Sequence, residues 1–474
     1  MIVMRLGEAA RAMRGWLRGS EQATQQEFRD VSTDTRKAVA GTLFFALKGA
    51  NHDGHDHAAA ARAAGAVATV VARDDAVFGE PRIVVDDTLF ALGRLAATRR
   101  AASAATVVAI TGNSGKTTTR EFTAAVLRRA GTTLATQGNL NNEIGVPLTL
   151  LSLDENDSYA VVELGQGRPG DIAYLIDIVQ PDIALVTNVT GAHLAGFGTL
   201  EAIAAGKGEV YAALKPDGVA IINCDDSFAE YWRARLPACR VIGYSAQEHA
   251  KQGLTASVRA EAVTTGSDGC ARFTLVIEGR RVTVSLAVPG LHNVSNALAA
   301  ASVGLACGVA PEAIAAALAE VQSVSGRLTV RMLPDGVRLI DDTYNANPGS
   351  VKAAVRTLCS YPGRRLLVLG HMAELGPTAA SLHREVGAFA SAAGVDALFV
   401  TGDFSGETAA GFGAGARAFA DVDALVTVLR TQLAEARQQE PAREVTVLVK
   451  GSRSARMERV VAALTGEKNA ALAH

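Results

Sequence analysis

The sequence predicts an α/β protein of three domains. These are a small mixed α/β N-terminal domain (residues 1–103), a central phosphate-loop domain with a parallel sheet and antiparallel edge strands (104–325), and a Rossmann-like, doubly wound C-terminal domain (326–474). Three observations predict this. A β-branched run from Val107 enters a Gly-rich turn and leaves as a helical Ala/Val/Leu pattern. Residues 255–288 alternate with a period of two around Ser267-Asp-Gly269 and Glu278-Gly279, as antiparallel hairpins do. Beyond residue 326, apolar strands alternate with helical stretches four or more times.

Size and composition agree. A chain of 474 residues, 49% of them hydrophobic, holds about three domains of roughly 150 residues. The net charge is −2, and the 46 basic residues are scattered among 48 acids, so no nucleic-acid footprint is expected. The five cysteines, Cys224, Cys239, Cys270, Cys307 and Cys359, form no C-x-x-C pair, which fits reduced thiols and a cytoplasmic protein. Arg5, Arg11, Arg14 and Arg18 interrupt the N-terminus before a signal-peptide core can form, and no run suits a membrane span.

In the first domain a helix is expected over Leu6–Leu17 and strands over Thr42–Leu47 and Val67–Val71. Ser32, Thr35 and Arg36 offer hydroxyls and a guanidinium to phosphate or sugar oxygens. Lys48 to His57 contains three histidines, yet Asp53-Gly54 marks a tight turn, so a polar ligand-binding or solvated loop is expected there rather than a metal site.

The second domain opens on V-V-A-I-T-G-N-S-G-K-T-T, Val107 to Thr118. Thr111, Gly112, Asn113, Ser114 and Gly115 would wrap phosphate oxygens with backbone N–H groups, with Thr118 following in the helix. Lys116 would reach the β- and γ-phosphates, and the Thr117 hydroxyl would sit on Mg²⁺. Ile110 stands where the usual loop has its first glycine. A helix over Thr117–Ala130, capped by Gly131, should follow. Strand Tyr159–Glu163 ends in an acid placed to hold the metal. Gly165-Gln-Gly-Arg-Pro-Gly170 matches G-x-G-x-x-G, but its strand already carries that acid and no acidic partner closes a second βαβ unit. Strands are expected at Ile183–Thr187 and Val219–Asn223, with a helix over 199–213 between them. In that helix Gly206 and Gly208 flank Lys207 at a cost of about 1 kcal/mol each, which suggests close approach of backbone or ligand. Asn293 and Asn296, opening an Ala-rich helix, are free to read a base edge.

The third domain has expected strands at Val337–Asp341, Arg365–Leu369, Ala397–Thr401 and Val445–Lys450, with helices at 350–358, 378–392, 421–437 and 454–464. Polar clusters sit at the strand ends, where such folds bind ligands: Asp341 to Asn347, His371 to Glu374, and Lys450 to Arg453.

The chain resembles the Mur ligases, ATP-dependent amide-bond-forming enzymes of peptidoglycan synthesis. The match rests on T-G-N-S-G-K-T-T, Glu163, Thr187-Asn188 with His193, Lys207, Gly290-Leu-His-Asn-Val-Ser-Asn296, Gly326-Arg327 and Asp341-Asp342. Asn139 to Pro147, Ala192 to Gly198, Asp342 to Pro348 and Val449 to Ser454 resemble the branch that adds D-alanyl-D-alanine. The Asn-Pro-Arg motif of the diaminopimelate-adding branch is absent, since Gly349 follows Asn347-Pro348. His371 stands where the family has Asp.

The resemblance implies that the carboxylate of a UDP-N-acetylmuramoyl-tripeptide (UDP-MurNAc-tripeptide) attacks ATP. D-alanyl-D-alanine (D-Ala-D-Ala) then displaces phosphate from the acyl phosphate. It implies a monomer with ATP and two Mg²⁺ ions. Thr117, Glu163, His193 and Lys207, the last carbamylated by CO₂, would hold the metal, and Lys116 would complete the catalytic set. Asn293, Asn296, Arg327 and Asp341 would contact the nucleotide. Ser32, Thr35, Arg36, Lys48, Asp53 and His55 would hold the uridine diphosphate end. Asn139 and Asn141 would bind substrate, and Tyr344, Asn345, Asn347, Lys450, Ser452 and Arg453 would face the dipeptide and tripeptide end. Two other readings stay open: a relative adding diaminopimelate or lysine, and a nucleotide-gated binding protein that ligates nothing. Folate-type relatives lack a counterpart of residues 1–103.

Overall fold

The structure is a computed structural model that describes residues 3–37, 39–191, 194–247, 255–439 and 444–467. Among these residues, three larger sheets lie in chain order, and the central one organises the site. Its nine strands run, from one edge, Arg280–Pro289, Cys270–Ile277, Val258–Thr265, Arg240–Ser245, Val219–Asn223, Ile183–Val186, Thr106–Thr111, Tyr159–Glu163 and Thr133–Ala135. The inner strands are parallel, and the hairpins of Val258–Pro289 extend one edge antiparallel, as expected.

Strand Thr106–Thr111 is buried on both faces, which its continuous apolar run Val107–Ile110 dictates. Val107 and Ala109 join one core cluster, while Val108 and Ile110 join the other. Register then fixes what stands beside the phosphate loop. Glu163 lies opposite Ile110 and Val186 opposite Thr111, so both flanking strands end at the loop.

The N-terminal sheet orders Trp16–Arg18, Arg82–Val84, Ala68–Val71, Thr42–Phe45 and Asp30–Ser32. Its core is continuous with that of the central domain. Helix Thr88–Ala101 links the two, capped by Asp87, whose carboxylate accepts from the N–H groups of Leu89 and Phe90 at 2.7 and 2.9 Å. At its far end buried Arg100 donates to Asp182 (2.8 Å) and Val179 O (3.0 Å) of the central domain.

The C-terminal sheet orders Thr329–Met332, Arg338–Asp342, Val445–Lys450, Arg364–Leu369, Ala397–Thr401 and Ala416–Phe419, parallel except at the first pair. Helices Pro348–Cys359, Ala379–Ala392, Val422–Gln439 and Glu458–Thr465 correspond to the four expected ones.

Four local expectations need correction. The first helix stops at Ala12, because Arg14 turns left-handed (φ 57°) and strand Trp16–Arg18 begins. The loop helix spans Lys116–Leu127, with Arg128 as its C-cap; Gly131 lies beyond it, packed where a Cβ would sit 2.6 Å from Ser158 Oγ. The Lys207 helix ends at Gly208 and continues as a 3₁₀ turn over Glu209–Tyr211. Strand Thr329–Met332 and the unit of helix Ser405–Phe412 with strand Ala416–Phe419 were not expected.

Candidate active site

The phosphate loop has the backbone its glycines were expected to supply. Gly112 (φ 143°) and Gly115 (φ 82°) are left-handed, and a Cβ on Gly112 would lie 1.9 Å from Thr187 Oγ1. The loop is braced from the next strand end: Thr187 Oγ1 and Asn188 Nδ2 both donate to Ser114 O, at 2.7 and 3.0 Å. Half-buried Lys116 donates to Gly112 O at 2.8 Å. Burial lowers its pKa, Glu163 opposes that, and Arg327 adds to it.

Thr117 and Glu163 come together as expected, with the hydroxyl donating to Glu163 Oε2 at 2.9 Å. Asn141 Nδ2 donates to Oε1 of the same carboxylate at 2.8 Å. Arg120, which the sequence reading missed, donates to Glu163 Oε2 (3.1 Å), to Gly138 O (3.0 Å) and to Glu121 Oε1. Its signal was its place one helical turn after Lys116 and Thr117.

Lys207 is buried at 1% exposure, and its Nζ donates to Gln166 Oε1 at 3.3 Å. Burial lowers its pKa well below the ordinary lysine range, with the nearby Lys116 charge adding to the shift. The flanking glycines have the close approach inferred from sequence. A Cβ on Gly206 would meet Gln166 Nε2 at 2.5 Å, and one on Gly208 would meet Trp232 Cδ1 at 2.8 Å. His193 lies outside the described residues. Among the described residues no group of three or more His, Cys, Asp or Glu side chains converges. The metal set is therefore judged on its oxygens: a hydroxyl and a carboxylate in contact at the loop, the hard donors Mg²⁺ takes.

A cleft of about 1290 Å³ gathers most of the remaining candidates. Its walls include Asn113 to Thr118, Asn141, Glu163, Asn293, Asn296, Arg327, Tyr344, Asn345, Asn347, Lys450, Ser452 and Arg453. The two sides touch where Asn347 Nδ2 donates to Ser114 Oγ at 3.3 Å. Arg327 stacks 4.1 Å above the Tyr344 ring. Lys450 donates to Asp342 Oδ2 (2.5 Å) and Asn345 O (2.8 Å), a buried pair the sequence reading did not single out. Asp342 lines the cleft, whereas Asp341 accepts from the Thr343 hydroxyl at 2.7 Å and does not. Burial raises the carboxyl pKa of both.

The two asparagines are not the free amides expected. Asn296 Nδ2 donates to Asn293 Oδ1 (2.8 Å), Asn293 Nδ2 to Pro289 O (2.7 Å), and Thr119 Oγ1 to Asn296 Oδ1 (3.2 Å). They brace the loop, since a Cβ on Gly115 would lie 2.4 Å from Asn296 Oδ1.

The N-terminal candidates stand apart from this cleft, to which that domain contributes Leu89 and Phe90. His55 is corrected to a structural residue: Nδ1 meets Asp53 at 2.6 Å, and Nε2 accepts from the Ala72 N–H at 2.8 Å, leaving neither nitrogen for a ligand. Asp53 also caps the turn through the His55 N–H. Ser32 Oγ closes a turn with Asp34, and Arg36 forks onto Asp34, whose pKa it lowers to about 2. Thr35 opens the 3₁₀ turn that holds Arg36, and exposed Lys48 pairs with Asp53 through the backbone as an isolated β-bridge. Asn139 accepts the Asn141 N–H and does not line the cleft.

Three domain families match this chain: "Mur ligase family, catalytic domain" over residues 27–100, "Mur ligase middle domain" over 110–304 and "Mur ligase, glutamate ligase domain" over 326–453. The UDP-N-acetylmuramoyl-tripeptide--D-alanyl-D-alanine ligase of Escherichia coli K12 is 43% identical, covering 98% of this chain and 99% of its own. Its namesake from Haemophilus influenzae is 36% identical at the same coverage. Among solved structures, MurF from Acinetobacter baumannii superposes with a TM-score of 0.90 at 33% identity, over 98% of this chain and 99% of that one. MurF from Thermotoga maritima, in complex with ADP, gives 0.82 at 28% identity, over 93% and 97%. With this geometry and these relatives, the chain belongs to the Mur ligase family.

Proposed function

We propose that the chain joins D-alanyl-D-alanine to UDP-N-acetylmuramoyl-tripeptide at the expense of ATP, through an acyl phosphate. The observation that carries this is the single cleft in which the phosphate loop faces the polar strand ends of the C-terminal domain, joined at Ser114 and Asn347. The names of the full-length relatives support the choice of substrates.

The chemistry brings two anions together, so cations and alignment carry the catalysis. Lys116 and the loop amides stand where phosphate would bind, with Arg327 on the facing wall. Thr117 and Glu163 would hold Mg²⁺, with His193 and Lys207 as further members for a second ion. Bound Mg²⁺ neutralises phosphate and carboxylate charge and orients both groups. The depressed pKa of Lys207 favours the neutral amine, the form that adds CO₂, and a carbamate there is an anion able to support the metal. Tyr344, Asn345, Lys450, Ser452 and Arg453 line the side we assign to the peptide and its amine. Ser32, Thr35, Arg36 and Lys48 remain our candidates for the uridine diphosphate end. We place the reaction in the cytoplasm and treat the chain as a monomer.

The test is isotopic. Tripeptide labelled with oxygen-18 in its terminal carboxylate should pass one labelled oxygen to the released phosphate. Phosphate that carries no label would exclude the acyl phosphate.

A further inference from the structure

The loop Gly165 to Gly170, which lines the cleft together with the phosphate loop, holds Gln166 against the end of Lys207. Gln166 is 7% exposed. Its Oε1 accepts from Lys207 Nζ at 3.3 Å, while its Nε2 is buried and has no hydrogen-bond partner among the described residues. An orphaned amide donor in the interior is costly and rare. Exchanging the amide oxygen and nitrogen does not remove the deficit. A primary amide presents a two-atom edge, one acceptor and one donor, and the amine offers that edge a single atom. Glycine at 206 keeps the space open, because a Cβ there would sit 2.5 Å from Nε2.

We infer that Gln166 is a positioning residue for a carbamate on Lys207, its amide edge pairing with the modified side chain through two hydrogen bonds. The inference rests on the carbamate reading above. In the modification the Nζ lone pair forms a bond to the carbon of CO₂. One C=O π pair moves to oxygen, and an amine proton leaves to water. The product carries an N–H beside an anionic oxygen. That edge is the complement of a primary amide: Gln166 Oε1 keeps the N–H, and the orphaned Nε2 gains an oxygen to donate to. The second carbamate oxygen stays available to a cation. Gln166 thereby stabilises the carbamate over the free amine and sets the direction of its outer oxygen.

The test is carbon-13 NMR of the full-length protein titrated with carbon-13 bicarbonate. The wild type should show a carbamate resonance that Lys207→Ala removes. Gln166→Met, similar in length but without hydrogen bonds, should raise the half-saturating bicarbonate about tenfold. Gln166→Glu, nearly isosteric and anionic, should raise it further. Both variants should keep the wild-type melting temperature within a few degrees and still bind ADP, which separates loss of pairing from loss of fold. Half-saturation unchanged in both variants would overturn the role of Gln166 while leaving the carbamate standing. A wild type with no Lys207-dependent resonance would overturn the carbamate reading and the pairing with it.

Discussion

The Thr117 hydroxyl donates to Glu163 Oε2 across 2.9 Å, tying the first turn of the loop helix to the end of the neighbouring strand. Both side chains are buried, at 3% and 1% exposure. The contact follows from register, since Glu163 is paired with Ile110 and so emerges directly beside the loop. Thr117→Val keeps the shape and removes the oxygen. It should lower kcat by about 10²-fold and raise the Mg²⁺ concentration needed for half-maximal rate. Steady-state rates across a Mg²⁺ series check this, and an unchanged Mg²⁺ dependence would dissociate Thr117 from the metal.

Lys450 and Asp342 form a buried pair at 2.5 Å on adjacent strands of the C-terminal sheet. Removing one partner leaves the other charge buried alone. Asp342→Asn or Lys450→Met should each cost about 3–5 kcal/mol, and the double variant should recover much of the loss. Urea denaturation of the four proteins gives the coupling directly. Additive losses would mean the pair contributes as two independent groups.

Asn347 does two jobs with one amide. Its Oδ1 accepts from the Ser350 N–H at 2.9 Å, capping helix Pro348–Cys359, and its Nδ2 reaches Ser114. Asn347→Ala should cost about 1 kcal/mol of stability and weaken contact across the cleft. Asn347→Ser keeps a cap but cannot reach Ser114. It should hold the melting temperature while raising KM for the amine substrate. Equal melting temperatures for the two variants, or an unchanged KM in Asn347→Ser, would refute this division.

How much of this was legible in the sequence depended on whether the cause was local. Strands Tyr159–Glu163 and Val219–Asn223 were read to the residue, because β-branched runs bounded by turns need no distant partner. The glycines around Lys207 were readable as close approach, but not their neighbours Gln166 and Trp232. Helix Ser405–Phe412 was missed because two glycines depress its propensity. Gly411 and Gly387 instead let it pack against helix Ala379–Ala392 so closely that a Cβ on either would strike the facing backbone. The same holds for Asn296, whose neighbours Thr119 and Gly115 lie far along the chain.

His383 supplies a pH dependence remote from the phosphate loop. It is buried, Nε2 accepts from the Met372 N–H at 3.0 Å, and Nδ1 faces Ala379 O at 2.8 Å, so the ring is neutral. Burial lowers its pKa from 6.5. Below 6.5 the unfolded chain therefore binds a proton that the folded chain does not, and stability falls as the pH drops from 6.5 toward the lowered folded value. The urea midpoint should decline over that window in the wild type and decline less in His383→Gln. Equal slopes would exclude His383 as the cause.

The central claim is tested most directly by phosphate release from ATP with UDP-N-acetylmuramoyl-tripeptide and one candidate amine at a time. The expected result is turnover with D-alanyl-D-alanine and product heavier by that dipeptide less water. Turnover with diaminopimelate or lysine in its place, or phosphate release that needs no amine, would contradict the account.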